Sequence, residues 1–133
     1  MANLQAVYYR ARGGSEPVND FVDRLGVKRQ VALDNQIDRL NMLTSLQPHL
    51  PFPHSSQVEG ELRELRCHYG RELYRVLYRR SRNLFVLLHM FRKDTGAIPP
   101  SEIEIAEKRW DDFKARMDAT TRVRPRAVGR DAP

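Results

Sequence analysis

Two arginines placed to meet across a hairpin are the first chemistry in this sequence. Residues 61–100 read ELRELRCHYGRELYRVLYRRSRNLFVLLHMFRKDTGAIPP. Within them Arg66 and Arg75 flank residues 68–71, where Gly70 can take the positive φ of a turn. A hairpin centred near Gly70 and Arg71 sets the two guanidiniums about opposite each other. Like charges opposed in this way destabilise a sheet. Two convergent guanidiniums also clamp a phosphate well, since each offers a planar fork of donors. Arg92 and Lys93 end the third strand-like run and could add positive charge at the same rim. The solvated face of a half-exposed sheet would hold the same arginines, so residue type alone leaves both readings open. His49 and His54 lie in a proline-rich segment. A loop imidazole titrates near pH ~6.5 and can serve as acid or base, although simple exposure accounts for both as well.

These residues need elements to hold them. Residues 61–67 and 72–80 together are rich in Leu, Val, Tyr and Arg, as the two strands of a hairpin would be. Residues 84–91 (LFVLLHMF) lack polar alternation, which predicts a strand buried on both faces. Arg82-Asn83 is the expected turn before it, with Asn83 suited to left-handed backbone. Upstream, residues 4–10 form a strand candidate, and Pro17 suits the first turn of a helix that Gly26 ends. A longer helix starts at Lys28, with Val31, Ile37, Leu40, Leu43 and Leu46 as its apolar stripe. Residues 48–60 hold three prolines and are expected to be irregular. After Pro99-Pro100, Ser101 and Glu104 fit a capping box. Ile103, Ala106, Trp110, Phe113 and Met117 make one apolar stripe on a helix expected to end near Ala119. The remaining tail is basic, without periodicity, and expected to be flexible.

At 133 residues the chain has the length of one domain, with 41% hydrophobic residues for its core. Its net charge of +6 favours polyanionic partners: nucleic acid, an acidic protein or an acidic membrane. No apolar run approaches the roughly 20 residues of a membrane span, and the N-terminus lacks a signal-peptide pattern. Cys67 is alone, so no internal disulfide forms and a reducing cytoplasm fits; it reads as a small apolar filler. Cys67 and the four histidines show no metal-ligand spacing.

The ordered set Glu64-Leu65-Arg66, Tyr74-Arg75-Val76-Leu77-Tyr78, LLHMFRK over residues 87–93, and the proline-led PPSEIEIA over residues 99–106 resembles the phage-derived HigB/RelE-type toxins of the RelE/ParE superfamily. One departure is Asp94, which stands where the family pattern has a second lysine. The resemblance implies an α+β domain over residues 1–118 and a basic tail over 119–133. It places an N-terminal strand and a helical hairpin on a twisted, mostly antiparallel four-stranded sheet, followed by a C-terminal helix. It implies metal-free cleavage of mRNA in the ribosomal A site, by attack of a ribose 2′-hydroxyl on the adjacent phosphate, without a cofactor. Arg66 and Arg75 match family arginines and suit the phosphorane; Lys93 matches the first family lysine. His89 and Tyr78 are the nearest proton carriers, but Tyr78 falls opposite Arg75 and suits the core. His89 is the catalytic candidate, with a satisfied structural histidine as its alternative. Arg63, Arg79 and Arg92 are expected to bind RNA. The implied partners are a helix-turn-helix, HigA-like antitoxin and the ribosome with its mRNA. A ParE-like inhibitor of DNA gyrase and a relative without catalysis are the other outcomes.

Overall fold

The apolar run at residues 84–91 forms the middle of a six-stranded sheet. The computed structural model describes residues 3–94, 96–117 and 126–128. The elements are β1 (Gln5–Tyr8), α1 (Pro17–Asp23), α2 (Val27–Leu40), β2 (Ser55–Glu59), β3 (Leu62–Tyr69), β4 (Glu72–Ser81), β5 (Leu84–Lys93), α3 (Pro100–Met117) and β6 (Arg126–Ala127). The strand order is β2-β3-β4-β5-β1-β6; β1 runs parallel to β5 and the other pairings are antiparallel. Helices α1 and α2 cover one face through Val18, Val22, Leu33, Ile37 and Leu40. Helix α3 covers part of the other through Ala106, Trp110 and Phe113. With layers on both sides, β5 has no wet face, which is why Phe85 to Leu88 are buried in succession.

The α+β class and element order are as the sequence implies; the strand count is not. A fifth strand, β2, lies inside the segment expected to be irregular. Its three prolines precede residue 55, so Ser55–Glu59 is free to donate to β3. The sixth, β6, is two residues of the expected flexible tail. It pairs with β1, and buried Val128 follows it. Val128 donates to Ala6 O at 2.8 Å, and its carbonyl accepts from Gln5 Nε2 at 2.7 Å and Asn41 Nδ2 at 2.9 Å. These anchors are long-range contacts that local composition does not reveal. The rest of the tail, and the end of α3 expected near Ala119, lie outside the described residues.

Other boundaries moved for physical reasons. Helix α2 ends at Leu40, and Val31 and Leu46 are 53% and 82% exposed. The buried set is Leu33, Ile37 and Leu40, at steps of four and three. Val31 lies two positions before Leu33, about 200° around the helix, so it faces solvent. Helix α3 starts at Pro100, which takes a first position where its missing N–H costs little. Ser101 is therefore inside the first turn rather than at the cap. Gly70 has the expected positive φ of 59°. In the next hairpin the left-handed residue is Arg82, at φ 55°, not Asn83.

Candidate functional site

Strand pairing places Arg66 directly opposite Arg75, and Arg75 opposite Phe91 on β5. Both arginines stand on the α3 face, at the end of the sheet nearer the β3–β4 turn. Their environments differ. Arg75 is 1% exposed. Its Nε lies 2.8 Å from Glu64 Oε1 and its Nη1 donates to Tyr74 O at 3.0 Å. Burial, and then the Arg66 charge, lowers its pKa, while Glu64 opposes both. Arg66 stands 3.7 Å from the same Glu64 oxygen and stacks over the Phe52 ring at 5.0 Å. Glu64 is thus a counter-charge set between the two arginines. It explains how like charges can oppose each other in neighbouring strands. Arg75 is sealed beneath the surface, and Arg66, with about a quarter of its side chain exposed, is the group a phosphate could reach.

The next cross-strand row is His68, Leu73 and Lys93. Lys93 thus stands on the same face as Arg66, two strand spacings or roughly 10 Å from His68 along that row. It has no ion-pair partner among the described residues. Partial burial, with Arg75 and Arg66 close by, holds the His68 imidazole below its ordinary 6.5, so it is neutral at pH 7. His68 and Arg66 share a cavity of about 220 Å³ with His54, Gln36 and Pro53 at the β3 edge, just beyond the end of β2. Gln36 Nε2 holds this corner, donating to Arg66 O at 2.9 Å and to His54 Nδ1 at 3.2 Å. That bond leaves the His54 proton on Nε2. The Arg66 amide also donates to His54 O at 2.8 Å. A cation, a neutral imidazole and a second, oriented imidazole therefore meet at one small opening.

His89 reaches the α3 face by a bulge. Leu77 pairs with His89 and the next residue, Tyr78, pairs with Leu87, so β5 carries one extra residue. Without it, His89 would lie on the same face as Phe85 and Leu87, under α1 and α2. Both ring nitrogens are engaged. Arg109 Nη1 donates to Nδ1 at 3.0 Å, which leaves Nε2 to donate to Glu102 at 3.1 Å. Burial keeps the imidazole below its ordinary pKa, against the pull of Glu102. This expected catalytic residue therefore ties α3 to β5. Tyr78 is in the core, as its alternation implies, with its hydroxyl 2.7 Å from Ser55 Oγ.

Arg63, Arg79 and Arg92 do not converge. Arg79 lies over Trp110 at 4.5 Å and pairs with Glu61 at 2.9 Å and Glu107 at 3.9 Å. Arg63 is on the opposite, α1–α2 face, with Nε donating to Ser55 Oγ at 3.2 Å. Arg92 pairs with Tyr74 in register and shares that opposite face. Sequence reasoning passed over Glu64 and His68. The signal for Glu64 is a carboxylate two residues before an arginine on one strand face. His68 sits two residues beyond Arg66 by the same alternation.

A family model described as Phage derived protein Gp49-like (DUF891) matches residues 20–111, which span α1 through most of α3. No curated protein matches the sequence.

Proposed function

We propose, from the premise that this chain belongs to the Gp49-like family of phage-derived proteins, itself a family of the RelE/HigB-like toxin superfamily, that it is the toxin of a type II toxin–antitoxin pair and cleaves mRNA on the ribosome. The observation that carries this reading is the shared opening of Arg66, His68 and His54, with Lys93 on the same sheet face. Neutral His68 takes the proton of the ribose 2′-hydroxyl as O2′ bonds to phosphorus. Arg66 and Lys93 stabilise the phosphorane, whose charge exceeds that of the diester. The P–O5′ bond breaks and the departing O5′ takes its proton from water, with the His54 Nε2–H placed as a hydrogen-bond donor to the phosphate oxygens. A 2′,3′-cyclic phosphate and a 5′-hydroxyl result. Arg75 and His89 act as positioning residues, the first by holding Glu64 and β3, the second by holding α3. With Asp94 in place of a second lysine, the phosphate contacts rest on Arg66 and Lys93.

The partner in this reading is an antitoxin with a helix-turn-helix domain. Val27 and Val31, one turn apart on α2, are large exposed apolar residues that such a protein could cover. No helix among the described residues is long and apolar enough to cross a membrane.

The test is cell-free translation followed by primer extension on the mRNA, with and without ribosomes. Wild type should produce new 5′ ends only with ribosomes. Arg66→Ala and His68→Gln should lose them, while Lys108→Gln should not. Intact mRNA with folded wild-type protein removes the nuclease reading. Inhibition of DNA gyrase supercoiling by that same protein would then favour a ParE-like mode.

A further inference from the structure

A second basic site lies on the opposite face of the sheet, at the opposite end. A cavity of about 600 Å³ opens there, with Arg63, Arg80, Arg82 and His49 on its walls and Tyr78 and Phe85 as its floor. The floor is rigid. Tyr78 and Phe85 meet edge to face with centroids 5.6 Å apart, and Ser55 Oγ bridges the Tyr78 hydroxyl and Arg63. None of the three arginines has a carboxylate partner among the described residues. The one acidic group on the wall, Glu61, is engaged by Arg79 at 2.9 Å.

The β4–β5 turn holds two of these arginines at the opening. Arg82 holds a left-handed φ of 55°, where glycine would sit with less strain. A two-residue turn between β4 and β5 needs a positive φ at its first central position, so the turn itself sets this conformation and with it the place of Arg82 at the mouth of the cavity. Arg80 is fixed beside it, its Nε donating to Arg82 O at 2.6 Å. Three unpaired guanidiniums around one opening suit a doubly charged anion better than a single diester charge. A phosphomonoester carries roughly −1.5 to −2 at pH 7. The volume suits a ligand of nucleotide size.

We propose that this cavity binds the phosphate of a nucleotide-sized phosphomonoester, with Arg63, Arg80 and Arg82 as its anion contacts. The phosphate could belong to a free nucleotide or to the end of an RNA strand. The site lies away from Arg66, His68 and Lys93, and binding there requires no cleavage. His49 supplies a reporter. Burial, then Arg63 and Arg80, lowers its pKa, and a dianion placed among them would raise it.

The experiment is NMR titration of the full chain with 5′-AMP, with adenosine, and with an oligoadenylate with and without a 5′-phosphate. AMP should shift the resonances of residues 80–82 and His49, and should raise the His49 titration midpoint; adenosine should do neither. Arg82→Gly removes one charge and relieves the backbone, so weakened binding in it cannot come from unfolding. It and Arg80→Gln should each weaken AMP binding about tenfold or more, the scale of a lost charged hydrogen bond. Lys108→Gln, on exposed α3 surface, should leave it unchanged. Tighter binding of the 5′-phosphorylated oligomer than of AMP identifies an RNA end as the source; equal or weaker binding identifies a free nucleotide. Equal responses to AMP and adenosine, or affinity unchanged in Arg82→Gly and Arg80→Gln, would overturn the proposal. Neither result bears on the cleavage assay, which uses ribosomes and variants of the other face.

Discussion

Removing the carboxylate of Glu64 should cost this protein a large part of its stability. The side chain is one-tenth exposed and its Oε1 lies 2.8 Å from Arg75 Nε. At an effective dielectric near 20 the Coulomb attraction at that distance is roughly 6 kcal/mol. Desolvation of both groups offsets much of it, so the pair itself adds little. Loss of one partner is different, because it leaves the other buried and uncompensated, at about 3–5 kcal/mol. Glu64→Gln keeps the shape and leaves Arg75 facing Arg66 across the strand pair, which puts it in the upper part of that range. Arg75→Met leaves Glu64 with Arg66 at 3.7 Å as a substitute partner, which puts it in the lower part. For a chain of 133 residues these costs correspond to a Tm lowered on the order of 10–20 °C. The double variant should recover most of the loss, since it buries no unpaired charge. Urea denaturation of the four proteins gives the double-mutant cycle. Single variants within about 1 kcal/mol of wild type, or a double variant as unstable as the sum of the singles, would refute the buried-pair argument. The result also decides how cleavage data are read: lost activity in an Arg75 variant would follow from lost structure, whereas Arg66 variants test chemistry.

Three further outcomes are expected. Arg82→Gly should raise stability by up to about 1 kcal/mol, since a left-handed arginine is strained and glycine is not; thermal unfolding measures it, and a lowered Tm would contradict it. Glu72 is held at about 2 by its two bonds to Arg29 and then by Tyr74, against an ordinary 4.5. The unfolded chain therefore takes up that proton first. The Glu72 contribution is complete above pH 4.5 and is lost as pH falls toward 2, so Glu72→Gln should flatten the acid limb of the Tm–pH curve. His89→Leu leaves Arg109 and Glu102 without their ring partner and should speed hydrogen exchange in α3 well before that of β5; uniform protection in both would show that the imidazole does not hold the helix.

The buried central strand, the turn at Gly70 and the register that opposes Arg66 to Arg75 were legible in the amino-acid sequence alone. Each depends on a local pattern: an unbroken apolar run, a glycine at a turn, or a two-residue alternation counted out from that turn. The stripe of α3 was legible for the same reason, since one helix face repeats at steps of three and four. What the tertiary structure decided lies in contacts between distant segments. Val31 faces solvent and Leu33 the core because α2 meets the sheet along one line, and an apolar residue two positions off that line does not reach it. Residues 126–128 join the sheet because Gln5 and Asn41 hold Val128, which their own composition does not show. The bulge in β5 turns His89 toward α3, where Arg109 and Glu102 take both of its nitrogens. Glu64 seals Arg75 and leaves Arg66 open, and the end of β2 exposes the β3 edge where His54 and His68 meet Arg66. Residue types supplied the charges; three-dimensional packing determined which of them remain available to a phosphate.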